Sequence, residues 1–147
     1  MNRVEKTVDL HKNGGLNCSQ AILTAFSESF GMEPETAKML GRPLGGGIGH
    51  QGLTCGYLTG AVLVLALALN NKDEGKSRKD LDKAIRVLFN RFKERYGGAT
   101  TCKVLLGADM TTEEGVKKIL EEKLPAKHCF SEGGIGQQVA EILETII

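Results

Sequence analysis

The sequence has almost no excess of charge of either sign. Nineteen lysine and arginine residues are balanced by 18 aspartate and glutamate residues, which leaves a formal net charge of +1. A chain so close to neutral creates no long-range field that would attract nucleic acid or an anionic membrane. We therefore expect no nucleic-acid partner and no membrane partner, and any partner must be recognised through local features.

A secretory signal and a long hydrophobic run are also missing. The first fifteen residues, MNRVEKTVDLHKNGG, alternate charged and apolar side chains without the continuous apolar stretch of a signal peptide. Residues 53–69 are mostly apolar, but they include polar and small residues and reach only the lower limit of what crosses a bilayer. The pattern predicts a cytoplasmic protein with a buried helix rather than a membrane span.

Strand patterns are absent as well, because no segment alternates apolar and polar residues between hairpin turns. Apolar residues instead recur every three or four positions, most clearly over residues 81–96. With 147 residues and 41% hydrophobic content, the chain fits one domain over residues 1–147. We predict an all-α, single-domain bundle of six to eight helices around a central apolar helix at residues 55–69.

Polar residues at helix ends predict where several helices begin and stop. Asn17 can cap a helix with Gln20 at its third position, and Ser77 with Asp80 forms a similar pair before the amphipathic segment. Pro125 is expected to end the helix before it.

The chain contains four cysteines but no C-x-x-C motif. Successive cysteines are 37, 47 and 27 positions apart at Cys18, Cys55, Cys102 and Cys129. Such spacing excludes thioredoxin-like and zinc-ribbon local motifs, so a shared site must be assembled by the tertiary fold. In a cytoplasmic chain, thiols are mostly reduced, which favours catalysis or metal binding over a disulfide framework.

Each of the four cysteines lies at or just before a predicted helix start. Free N–H groups and the helix dipole favour negative charge there, so we expect these thiols to ionise more readily. Thiolates are the nucleophiles of redox chemistry and also the ligands of soft metals. The four thiols are therefore our candidate catalytic residues, although a buried cysteine can also be a plain apolar side chain.

A glycine-rich loop, GGGIGHQGLTCG, precedes the apolar helix and contains a G-x-G-x-x-G pattern. A dinucleotide site needs a strand before this pattern, and the preceding KMLGRPLG, with Pro43, is not a strand. We instead expect the glycines to let the backbone pass close to whatever lies beside Cys55, with a flexible connector as the alternative. The glycines assigned to that binding role are Gly47, Gly49, Gly52 and Gly56.

Two histidines stand close to cysteines in the sequence. His50 lies in the glycine loop, and His128 directly precedes Cys129. Either imidazole could accept a thiol proton or serve as an additional metal ligand. His11 belongs to a polar helix and is a weaker candidate than the other two.

The order of these features resembles a known family. The matching stretches are residues 15–21 (GLNCSQA), the glycines of residues 45–49, residues 55–60 (CGYLTG), Cys102 and Cys129. They resemble the C_GCAxxG_C_C family of putative redox-active proteins. The resemblance implies a redox role for all four cysteines and assigns no substrate. Tyr57 stands where the family pattern has alanine, which is expected to narrow the space near Cys55.

Three functional hypotheses follow. The leading one is a small redox protein in which Cys55 attacks an acceptor and a second cysteine resolves the product as a disulfide, with a redox protein or a small thiol as partner. The second is a metal protein in which Cys18, Cys55, Cys102 and Cys129, with His50 as a further ligand, bind an iron–sulfur cluster or zinc. The third is a helical interaction module whose central helix forms a homodimer and whose cysteines are incidental.

Overall fold

The computed structural model describes residues 1–147 and consists of helices joined by short loops. It contains no β-strand, only an isolated antiparallel bridge between Thr54 and Thr101. Two 3₁₀ turns, Glu28–Phe30 and Arg42–Leu44, supplement the α-helices. The α-helices are α1 (Arg3–Lys12), α2 (Cys18–Ser27), α3 (Pro34–Gly41), α4 (Gly56–Ala68), α5 (Glu74–Arg95), α6 (Cys102–Leu106), α7 (Glu113–Glu121), α8 (Leu124–His128) and α9 (Ile135–Ile146). The all-α prediction is confirmed.

The structure has nine α-helices, one more than the sequence predicts, and the additional one is α8, which contains Pro125. We expected this proline to end a helix, but it lies in the first turn of α8. Proline is tolerated there because the first N–H groups of a helix have no intrahelical partner. The break comes earlier, at Lys123, whose φ of 51° is left-handed.

Helix α5 also begins earlier than predicted. Asp73 is its cap, and the carboxylate accepts a hydrogen bond from the N–H of Lys76 at 3.1 Å. Ser77 is therefore inside the helix, and its hydroxyl donates to the carbonyl of Asn71 at 3.0 Å. Two good capping residues stand four positions apart, so local preference alone does not choose between them.

Helix α2 is the most enclosed element of the fold. Nine of its ten residues are buried, and it packs against α1, α3 and α4. The apolar helix α4 is buried over only part of its length, on the side that meets α2, α5 and α9. Helices α3 and α4 approach α2 closely because each has a glycine at the contact. A Cβ at Gly41 of α3 would lie 2.8 Å from Cα of Gln20, and a Cβ at Gly60 of α4 would lie 2.6 Å from Cγ2 of Ile22.

The buried apolar residues form two clusters. The larger one joins α2, α4, α5 and α9, and the smaller one consists of Leu106, Ala108 and Leu124 around α6 and α8. Cys129 packs against both clusters, and Cys102 packs against the smaller one. Cys129 therefore lies at the seam between the two clusters, while Cys55 is part of the larger one. None of the helices combines enough length with enough hydrophobicity to span a bilayer.

Candidate functional site

Three of the four cysteines line one small cavity at this seam. Its volume is about 210 Å³, and Cys18, Cys102 and Cys129 are all among the residues that line it. The other lining residues are His11, Asn17, Gly46, His50, Leu106, Met110, Ile119 and Pro125. None of the lining residues is lysine, arginine, aspartate or glutamate, so the cavity has no fixed charge of its own.

Cys18 is positioned by the cap of α2. The side chain of Asn17 accepts a hydrogen bond from the N–H of Gln20 at 2.9 Å, and the Gln20 side chain accepts one from the N–H of Asn17 at 3.0 Å. The Asn17 amide also donates to the carbonyl of Arg42 at 3.0 Å. This predicted capping box is confirmed, and it fixes Cys18 as the first residue of the helix.

Cys55 and Cys102 are brought near each other by a short backbone pairing. The N–H of Cys55 donates to the carbonyl of Thr100 at 2.8 Å, and the N–H of Cys102 donates to the carbonyl of Leu53 at 2.6 Å. The pairing places Cys55 at the cap of α4 and Cys102 at the first position of α6. Cys55 is only 6% exposed and does not line the cavity.

Cys129 does not lie at a helix start, so that part of the prediction is wrong. It follows the last residue of α8, and its N–H donates to the carbonyl of Pro125 at 2.8 Å. Its own carbonyl accepts a hydrogen bond from the N–H of Gly136 at 2.9 Å. The C-terminal end of a helix is the negative end of its dipole, which opposes ionisation of this thiol.

Burial raises the pKa of all four thiols, contrary to the expectation that helix starts would make them acidic. The pKa reaches about 11 for Cys102 and about 12 for Cys129, and it is raised for Cys18 and well above its ordinary value for Cys55. Desolvation is the largest cause in each case, so it outweighs the helix dipole. Charge on Cys18 raises the pKa of the other three thiols further, which shows that Cys18 is electrostatically coupled to each of them.

Cys18 differs from the other thiols in the number of N–H groups that favour its ionised form. Its own N–H and those of Ser19, Gly46 and Gly56 all act to lower its pKa against the effect of burial. Gly56 comes so close that an added Cβ would collide with Sγ of Cys18. A side chain at this position would therefore displace the sulfur from its N–H donors.

The glycine loop approaches Cys18 through Gly46, whose N–H acts on the Cys18 thiol and which lines the cavity. Gly47, Gly49 and Gly52 have φ values of 72°, 57° and 73°, which a residue with a side chain rarely adopts. They shape the loop without lining the cavity, and Gly46 is the loop glycine that reaches it. The binding role assigned to Gly47, Gly49, Gly52 and Gly56 stays a prediction.

The histidines that lie at the cavity are only partly those that the sequence favours. His50 lines the cavity, His128 does not, and His11 does, although the sequence made it the weakest candidate. The sequence does contain a signal that His11 points inward. His11 follows Thr7 by four positions and Val8 by three, so it lies on the same, inward face of α1. Its Nδ1 lies 2.5 Å from the hydroxyl oxygen of Tyr57.

His11 should make the fold sensitive to acid. Burial lowers its pKa from 6.5 to about 4, so below pH 6.5 the unfolded chain takes up a proton that the folded chain resists. We expect this residue to account for a loss of up to about 3 kcal/mol in the free energy of unfolding between pH 6.5 and 4. Urea titrations at both pH values on the native chain and on His11→Gln measure the effect. Equal acid sensitivity of the two proteins would contradict it, because their carboxylates are the same.

The side chains do not form a metal-binding group. No set of three or more histidine, cysteine, aspartate or glutamate residues converges closely enough to hold a metal ion. The hypothesis of a four-cysteine metal or iron–sulfur site with His50 as a further ligand therefore gains no support from the geometry.

Comparison with protein families gives one match over most of the chain. A family model described as "Putative redox-active protein (C_GCAxxG_C_C)" matches residues 16–146, a range that contains all four cysteines. No curated protein and no solved structure shows a significant match to the chain.

Proposed function

The chain belongs to the C_GCAxxG_C_C family, and from this premise we propose that it carries out thiol–disulfide chemistry at the cavity shared by Cys18, Cys102 and Cys129. The observation that supports this proposal is the arrangement of these three cysteines, which are far apart in sequence but line a single cavity without lysine, arginine, aspartate or glutamate. A nucleophilic thiol and a second thiol that resolves the mixed disulfide must lie within reach of one substrate sulfur.

Cys18 is the attacking residue in this proposal, in place of Cys55. Four backbone N–H groups favour its thiolate, and its side chain faces the cavity. Cys55 is buried and does not line the cavity, and burial together with the charge of Cys18 raises its pKa well above the ordinary value. A thiol that neither ionises nor meets the substrate is a poor nucleophile.

The reaction is a two-electron exchange with a disulfide substrate. The Cys18 thiolate attacks one substrate sulfur, a mixed disulfide forms, and the other substrate sulfur leaves and takes up the proton that Cys18 released. Cys102 or Cys129 then attacks Sγ of Cys18, which releases the second substrate thiol with the second proton. The protein ends with one internal disulfide, and the substrate disulfide is reduced to two thiols.

The size of the cavity limits what can enter it. Pockets that enclose a whole cofactor or drug-sized ligand have volumes of about 300–1,000 Å³, while this cavity has about 210 Å³. The substrate is therefore a small disulfide or the exposed disulfide of a redox partner protein, which inserts only its sulfur atoms. The same proposal fits a reducing compartment such as the cytoplasm, because the exchange reaction begins from reduced cysteines.

Oxidation with hydroxyethyl disulfide, followed by peptide mapping, tests the proposal. We expect two of the four free thiols to be consumed and Cys18 to be linked to Cys102 or Cys129, and dithiothreitol should reverse the reaction. Cys55→Ser is the matched control, and it should form the same disulfide as the native chain. Four unreacted thiols, or a disulfide that does not include Cys18, would contradict the proposal.

A further inference from the structure

The hydroxyl of Tyr57 and the imidazole of His11 form a buried pair beside the thiol cavity. Tyr57 has no exposed surface, and its oxygen lies 2.5 Å from Nδ1 of His11. Neither side chain makes another hydrogen bond within the protein. His11 is a lining residue of the cavity, whereas Tyr57 is not, so the histidine is the member of the pair that a substrate in the cavity would meet.

The direction of this hydrogen bond follows from the groups around it. A buried phenol must place its hydrogen on an acceptor, and Nδ1 of His11 is the acceptor within reach. Burial, together with the charges of nearby cysteines, raises the pKa of Tyr57 well above its ordinary value, so the phenol keeps its proton. Burial lowers the pKa of His11 to about 4, so the ring is neutral near pH 7. A neutral ring that accepts at Nδ1 carries its own hydrogen on Nε2.

We propose that Tyr57 is a positioning residue that holds His11 in the Nε2–H tautomer, which makes this imidazole a fixed hydrogen-bond donor to sulfur in the thiol cavity. The chemical role of this imidazole rests on the proposed function. In the exchange reaction, negative charge passes from the attacking sulfur to the leaving sulfur. A neutral N–H donor stabilises that charge without adding a cation, and the cavity contains no lysine or arginine that could do so.

Two aromatic rings pack against the imidazole of His11. The His11 ring lies 5.5 Å from the Tyr57 ring and meets the Phe130 ring edge-on at 4.9 Å between centroids. On the far side of the tyrosine is Gly136, where a Cβ would lie 2.7 Å from the hydroxyl oxygen. The position of the hydroxyl is thus set by contacts that a phenylalanine at residue 57 would keep.

The test is Tyr57→Phe, which removes the hydroxyl and retains the ring. Long-range ¹H–¹⁵N correlation spectra of the histidine rings report the tautomer directly. We expect pure Nε2–H for His11 in the native chain and a mixture of tautomers in the variant. Tyr96→Phe is the matched control, because Tyr96 is the other tyrosine of the chain and stacks on Phe92 at 4.5 Å without a side-chain hydrogen bond. It should leave the His11 spectrum unchanged.

The rate of exchange with hydroxyethyl disulfide gives the second measurement. Loss of an oriented donor to a charged sulfur should slow the reaction of Tyr57→Phe about tenfold, while Tyr96→Phe reacts at the native rate. A native His11 ring protonated on Nδ1 would overturn the inference even if the variant failed to fold, and so would an unchanged tautomer in Tyr57→Phe. If the native chain shows the Nε2–H ring but no exchange reaction, the proposed function fails while the pairing of Tyr57 with His11 stands.

Discussion

Cys18→Ser is expected to reduce the rate of disulfide exchange on the order of 10³-fold or more. Cys18 is the thiol whose ionised form is favoured by four N–H groups, and its charge acts on each of the other three thiols. Burial raises the pKa of Cys102 and Cys129 to about 11 and 12, and neither thiol has the four N–H groups that oppose this effect at Cys18. We therefore expect neither residue to replace Cys18 in the first attack.

Stopped-flow release of the substrate thiol measures this rate. Cys55→Ser is the control, because this thiol is buried away from the cavity and should be dispensable for the first attack. Far-UV circular dichroism of both variants checks that α2 and α4 remain folded. A Cys18→Ser protein that reacts at the native rate, or a Cys55→Ser protein that is as slow as we expect for Cys18→Ser, would disprove the assignment of the nucleophile.

Gly136→Ala is expected to cause a large loss of stability, about 3 kcal/mol, by overpacking. An added Cβ would lie 2.6 Å from Cζ and 2.7 Å from the hydroxyl oxygen of Tyr57, whose ring is fully buried. The ring cannot withdraw without breaking its hydrogen bond to His11. Equilibrium unfolding in urea measures the change. Gly75→Ala is the matched control, since Gly75 is also the second residue of its helix and has only Asp73 Oδ1 within 4 Å, at 3.4 Å.

A double-mutant cycle with Tyr57→Ala shows whether the tyrosine is the cause. Tyr57→Ala alone leaves a cavity and should cost about 3–5 kcal/mol. In that background the methyl group added at residue 136 enters empty space, so adding Gly136→Ala should cost less than about 1 kcal/mol. Equal costs of Gly136→Ala in both backgrounds would show that the contact with Tyr57 is not responsible.

The sequence determined the helices wherever one local signal had no competitor. The apolar spacing of residues 81–96 and the Asn17–Gln20 capping box depend on neighbours within four positions, and both occur in the structure. The start of α5 was misplaced because Asp73 and Ser77 compete for the same role. Pro125 was misread because a proline suits the first turn of a helix as well as the residue after one.

For the site, the sequence determined which residues are able to carry the chemistry, because thiol reactivity belongs to the residue type. The arrangement of those residues was decided by the tertiary structure alone. Packing of α6 and α8 next to the larger core brings Cys102 and Cys129 to the same cavity as Cys18, whereas Cys55 lies inside the larger core. Packing also decided the sign of every thiol pKa shift, since desolvation depends on neighbours from distant parts of the chain and here exceeds the local effect of a helix start.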